Sequence, residues 1–272
     1  MASVNDYHYT EQKTRKTYLT LSSRNMIKTI RSKPFEWKYE SLNFDLMRTK
    51  VYRERTKSNC TEFWEWIAYA LIGLFTGLCT AIMANTEVHM IHEKRLLSDK
   101  IIGGEDLMKG WLFFSGVAIF FVLVASMATV YWAPGATGSG NAELICYLNG
   151  VNYPKLFAFE TLLVKVFGVI FAVIGNLCVG KEGPLAHIGA NVGAAVPYLP
   201  LPGFEYLRND RDKRLLIAAG LSAGVSTAFG APIGGALFAY ELSKPNTFWK
   251  FSVLWKSFFT CSIAVFSVSI YT

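Results

Sequence analysis

The stretch from Trp111 to Ala133 runs for twenty-three residues without a single charged side chain. A helix needs about 20 mainly apolar residues to cross the hydrocarbon core of a bilayer. Other stretches come close to the same pattern. Phe63–Asn85 carries one charge, Glu65; Leu215–Phe238 carries none; Phe251–Ile270 carries only Lys256. A further segment, about Leu156–Val179, has Glu160 and Lys165 near its start. Charged residues make up 17% of the whole, against about 25% in soluble domains. The fold class these runs dictate is an all-α polytopic membrane protein, integral and multi-pass.

The net charge of +7 sits in the first sixty residues, which hold thirteen Lys or Arg against six Asp or Glu. Those residues contain no apolar core of the kind a cleaved signal peptide needs. Positive charge beside a first span marks the cytoplasmic side, a better account of this arm than nucleic-acid binding. Residues 1–60 are therefore expected to form a cytoplasmic N-terminal arm, and 61–272 the transmembrane domain, with the bilayer as partner and no nucleic acid. The five cysteines lack metal-ligand spacing. His89 and His92 share a helix face but no third ligand follows, so no metal and no cofactor is expected. The sequon Asn59-Cys60-Thr61 falls on the cytosolic side and reads as a chance match.

Three segments are broken by glycine or proline. "APGATGSGNAELICYLNG" (133–150) turns helical from about Asn141, too briefly to span. "GNLCVGKEGPLAHIGANVG" (175–193) opens a second short helix from about Pro184. Gly230-Ala231-Pro232 divides another apolar run into two. Irregular backbone at membrane depth is tolerated only inside protein or along a wet cavity. Discontinuous helices there point positive N-terminal ends at a bound anion. The glycines from Gly220 to Gly235 read instead as close helix packing.

Gly175–Glu182 spells G-x-x-x-x-G-K-E, one letter from a phosphate-binding P-loop. A carboxylate in place of the magnesium-binding hydroxyl, and the absence of a βαβ context, exclude that reading. Pro184 suits the first turn of a helix, and the flanking Gly180 and Gly183 leave backbone amides open to an anion. Glu182 then places a carboxylate at the mouth of a site built for negative charge. It could occupy that site in competition with a diffusible anion, and protonation would weaken its hold. The "GSGNAE" segment repeats the design, with Ser139 between Gly138 and Gly140 ahead of a short helix. Ser139 taken alone would be a helix cap; beside the Glu182 motif, anion coordination explains it better. No nucleophile–base pair or metal set appears, so no enzymatic activity is expected.

"GSGNAE", "GKEGPLAHIG" and "FGAPIGGALFAYE", in that order, resemble the CLC family of chloride channels and chloride/proton antiporters. "YESLNFD" in the arm and "FWKFSVLWKSFFTCSIAVF" near the end add to the likeness, which covers roughly Tyr39 onward. The resemblance implies a CLC-like first inverted repeat with tilted and discontinuous helices, in a homodimer whose subunits each carry an anion pathway. It implies that Ser139 coordinates chloride, with Gly138, Gly140 and Gly183 around the ion. It also implies that Glu182 is the gating glutamate and Lys181 a positive influence on the pore.

Three departures qualify the likeness. Asn141-Ala142 stands where the family usually has Ile-Pro, which touches anion selectivity. Glu241-Leu242 stands where antiporters usually carry paired glutamates, and Leu242 cannot relay a proton. The sequence stops at Thr272, about where the first repeat would finish, so the second repeat and the CBS domains are expected to be absent. The leading expectation is a voltage- or pH-gated chloride channel without proton coupling. The alternatives are a chloride/proton antiporter, or a non-conducting half-protein that associates with full-length CLC subunits and regulates them.

Overall fold

The computed structural model describes residues 40–41, 59–102, 107–153, 155–201, 203–243 and 251–271. The chain divides into Met1–Glu40 and Ser41–Thr272, and every helix named below belongs to the second part. The arm expected over 1–60 lies almost wholly outside the described residues.

Apolar periodicity and breakers produce eight α-helices among the described residues: α1 (Asn59–Ile102), α2 (Leu107–Met127), α3 (Asn141–Leu148), α4 (Phe159–Ile174), α5 (Glu182–Ala195), α6 (Asp210–Phe229), α7 (Pro232–Ser243) and α8 (Phe251–Tyr271). The remaining extended pieces, Glu40–Ser41 and Val151–Asn152, are two residues each. Among the described residues, three stretches are long and apolar enough to cross a membrane: Glu62–Ile101, Met108–Trp132 and Val253–Tyr271. Together with the five shorter helices they make an all-helical, membrane-type fold.

Several boundaries differ from the sequence expectation. The mixed-charge segment from His92 reads as a loop, yet α1 continues through it to Ile102, 44 residues in all. Glu, Lys, Arg and Leu are good helix formers, and nothing in "HEKRLLSDK" breaks a helix. The segment about Leu156–Val179 yields only the 16 residues of α4. The basic cluster at 208–214 runs from Arg208 and the cap residue Asn209 into the start of α6, and its last member, Arg214, is buried with its guanidinium 4.2 Å from the Tyr147 ring. The break at 230–232 falls as expected: Gly230, at φ 63°, ends α6 in a left-handed turn, and Pro232 opens α7.

Among the described residues, glycine seams bring helices into backbone contact. α5 crosses α6 at glycines: a Cβ on Gly220 would fall on the Gly189 carbonyl, and one on Gly189 would fall on that of Gly220. α1 meets α8 similarly, since a Cβ on Gly77 would stand 2.6 Å from the Ala264 carbonyl oxygen. The isolated charges of these two spans find each other, Lys256 of α8 donating to Glu65 of α1. An intramembrane charge is costly unless paired, and this pairing explains why both helices tolerate one. A core of Leu144, Leu148, Ala186, Ala190, Ile217 and Leu221 then packs α3, α5 and α6 together behind the site described next.

Candidate anion-binding site

The loop before α3 is built by two glycines in the left-handed region, Gly138 at φ 63° and Gly140 at φ 80°. It is held from below by Lys165 of α4, whose ammonium donates to the carbonyls of Gly138 (2.9 Å) and Ala136 (3.1 Å). Lys165 is 2% exposed. An ammonium has three N–H donors, and these two bonds hold a positive charge against the loop at the residue before Ser139. Gly140 lies against the ring of His187 in α5, which fills the place a side chain would take. His187 is fully buried and its Nε2 lies 3.2 Å from the Leu156 carbonyl oxygen. Gly140→Ala should therefore destabilise the fold by about 1–3 kcal/mol, the range for a non-glycine forced into strained backbone, before the clash with His187 is counted. Thermal unfolding of the two proteins in micelles checks this.

Ser139 is exposed, with Oγ 3.4 Å from the Asn141 amide. That is long for an N–H···O bond, which centres near 2.9–3.0 Å, so the capping role is weakly made and the hydroxyl keeps capacity for another partner. α5 begins at Glu182, two residues before Pro184. Proline at the third helical position still lies in the first turn, where amides have no intrahelical partner, so its position does not mark the helix start. The Glu182 carboxylate is exposed and turns back over Gly180, into the space a side chain there would need. Among the described residues it has no recorded hydrogen bond or ion pair.

The two motifs meet at Gly183. A Cβ on Gly183 would lie 2.7 Å from the Ser139 Cβ and 3.5 Å from the side-chain Nδ2 of Asn141. The N-termini of α3 and α5 thus converge from segments over forty residues apart, and each end carries about half a positive charge. Beside them, between α2 and α4, lies a cavity of about 420 Å³ that reaches Gly138, Ser139, Lys165, Gly180 and Pro184. Its other walls are mainly apolar, Val122 and Val169 among them, with the hydroxyl residues Ser126 and Thr129 at the end of α2 and just beyond it.

Lys181 and Leu242 lie further from this centre in their contacts. The Lys181 ammonium is 2.9 Å from a carboxylate oxygen of Glu87 in α1, a partner no local spacing reveals. Leu242, near the end of α7, is half-buried and packs against the core of α3, α5 and α6. Lys165, Glu87 and His187 are the site's neighbours that sequence reading does not assign. The signal available for Lys165 was a charge inside an apolar segment, which is functional by default; Glu87 lies two residues past the apolar run Phe63–Asn85 and carried no such signal, and for His187 there was only its place within the motif.

The family described as Voltage gated chloride channel matches residues 120–272, more than half of the chain. The chain belongs to this family. Among CLC relatives, it is 36% identical over 240 residues to "Chloride channel protein CLC-a" of Arabidopsis thaliana, covering 83% of this chain and 31% of that protein. It is 36% identical over 251 residues to "H(+)/Cl(-) exchange transporter 7" of Mus musculus, covering 85% and 31%. The chain thus spans about a third of the length of these curated relatives. Two solved CLC-type folds superpose on it, each at 23% identity. A slow cyanobacterial Cl−/H+ antiporter gives a TM-score of 0.68 over 76% of this chain and 46% of the other. A eukaryotic CLC transporter gives 0.63 over 82% and 39%. The fold is that of the CLC family, and the protein is integral to a membrane.

Proposed function

We propose that this chain contributes to a chloride pathway in which Ser139 and the N-termini of α3 and α5 hold the anion. Glu182 gates it by competing for the same amides. One observation carries the reading: Ser139 and Gly183, from two separate motifs, are in contact, with buried Lys165 holding a positive charge against the Ser139 loop. Gly138, Gly140 and Gly183 offer bare backbone to the ion, and Lys181, tempered by Glu87, adds to the local potential. Leu242 offers no carboxylate where a proton relay would need one, so chloride moves without stoichiometric protons. A second CLC subunit, either another copy or a full-length relative, is the partner this reading implies.

The similarity to an H(+)/Cl(-) exchange transporter favours a second reading, coupled exchange. Proteoliposomes carrying the chain, alone or with a full-length CLC subunit, separate the two when chloride flux and external pH are recorded together. Chloride movement with no matching proton flux is expected; a fixed proton-to-chloride ratio would favour exchange. Ser139→Ala should reduce the preference for chloride over nitrate about tenfold, the equivalent of one hydrogen bond. Unchanged selectivity in that variant removes Ser139 from the pathway.

A further inference from the structure

α1 carries two buried charged side chains one heptad apart, Glu87 and Lys94, at 4% and 6% exposure. Seven residues make nearly two full turns, so both leave the same face of the helix. Each meets one end of the loop 175–181 that leads from α4 into the Glu182 motif. Lys94 Nζ donates to the carbonyl of Ile174, the last residue of α4, at 2.8 Å. Lys181 Nζ, one residue before Glu182, donates to Glu87 Oε2 at 2.9 Å.

The chemistry at each end suits its position. A carbonyl at a helix C-terminus lacks an intrahelical partner and lies at the negative end of the dipole; an ammonium answers both needs. Lys94 also rests over the Phe114 ring of α2, 4.1 Å from its centroid, which fixes where the anchor stands. Lys181 is a cation at the positive end of α5, an unfavourable place, and the Glu87 carboxylate offsets it. The other Glu87 oxygen, Oε1, is buried with no hydrogen-bond partner, so the ion pair is the contact that rewards a carboxylate there. Between the anchors, residues 176–180 are exposed. Asn176 and Leu177 donate back to Val173 and Ala172 of α4, and Val179 donates to Leu177. The far end of the loop is fastened through Lys181.

We propose that Glu87 and Lys94 form a two-point clamp from α1 that positions the 175–181 loop, and through it Glu182. The proposal builds on the gating role given to Glu182 above. Neither residue reaches the ion; both are positioning residues. Losing Glu87 frees the far end of the loop, and losing Lys94 leaves the near end to the backbone bonds of Gly175, Asn176 and Leu177 alone; either change widens the placements of the Glu182 carboxylate, which weakens its competition with the anion.

Cys178 lies exposed within the loop and gives a readout independent of transport. A nitroxide placed there, with Cys60, Cys79, Cys146 and Cys261 replaced by serine or alanine, is read by electron paramagnetic resonance of the full chain in lipid nanodiscs. The parent should show an immobilised label. Glu87→Gln and Lys94→Met should each raise the ratio of mobile to immobile label about fivefold, the effect of one modest contact. Exchanging the charges, Glu87→Lys with Lys181→Glu, should restore the immobilised spectrum. Should Glu87→Gln fail to insert, Glu87→Asp keeps the charge, shortens the reach and is read by the same criterion. Unchanged mobility in the single variants overturns the clamp, as does a charge-exchanged protein as mobile as Glu87→Gln. Chloride flux measured in parallel keeps the two ideas apart. If Glu182→Gln leaves flux and its gating unaltered, the gating role falls, while the label still decides the clamp.

Discussion

Gly220→Val is expected to destabilise the protein by about 3 kcal/mol or more, the upper end of what overpacking does in a well-packed core. At this position the neighbour is main chain. A Cβ on Gly220 would land on the Gly189 carbonyl oxygen, 2.9 Å from its carbon and 3.1 Å from the Gly193 amide nitrogen. No rotamer relieves such a contact; α5 must move off α6. Small residues at membrane helix interfaces serve this close approach, and moving α5 also drags Gly183 away from Ser139. Unfolding of the two proteins in mixed micelles, followed by circular dichroism, measures the loss. Gly116→Val in α2 is the control, because nothing lies within 4 Å of where its Cβ would stand. It should fall within about 0.5 kcal/mol of the parent, as for a substitution away from any packed feature. Equal effects at the two sites would mean that glycine content matters and the seam does not.

Glu182→Gln keeps the shape of the side chain and removes its charge. Two unit negative charges 4 Å apart repel by about 4 kcal/mol at an effective dielectric of about 20, so a carboxylate and an anion cannot share the amides at the start of α5. With the charge gone, chloride flux at neutral pH should rise at least about tenfold, which needs only about 1.4 kcal/mol of that repulsion. The response of flux to pH and voltage should flatten at the same time. The side chain is exposed and turned over Gly180, so the substitution should leave stability near that of the parent. A variant that gates as before would place the gate elsewhere.

The sequence announces the helical membrane fold through its uncharged runs, and the breaks at Gly140 and Gly230 through glycines that sit at positive φ. The two motifs are legible as separate helix starts because Ser139 and Glu182 each lie within a few residues of their flanking glycines. Their meeting at Gly183 is not, since a contact between residues 44 positions apart has no local periodicity. The same limit hid the pairing of Glu87 with Lys181, 94 positions apart, and of Glu65 with Lys256, 191 apart. Hydropathy also misread the end of α1. Glu93, Lys94 and Arg95 look like a loop by polarity, yet they are good helix formers, and Lys94 turns inward to a carbonyl that needs it. Pro184 misplaced the start of α5 by two residues, because any position in the first turn accommodates a residue without an N–H.

The glycine seam between α5 and α6 bears on how this protein can move. Packed side chains can hop between rotamers and let two helices settle into alternative registers. A contact of carbonyl against α-carbon offers no such hops, because neither surface has a torsion to turn. α5 is therefore held firmly along the seam, and at its leading end the Glu182 side chain, exposed and turned over Gly180, keeps its torsional freedom. Side-chain torsions relax in picoseconds to nanoseconds, whereas helix shifts take microseconds to milliseconds. With the gating role proposed for Glu182, opening would be a local flick of that side chain, fast and small beside any shift of α5 itself.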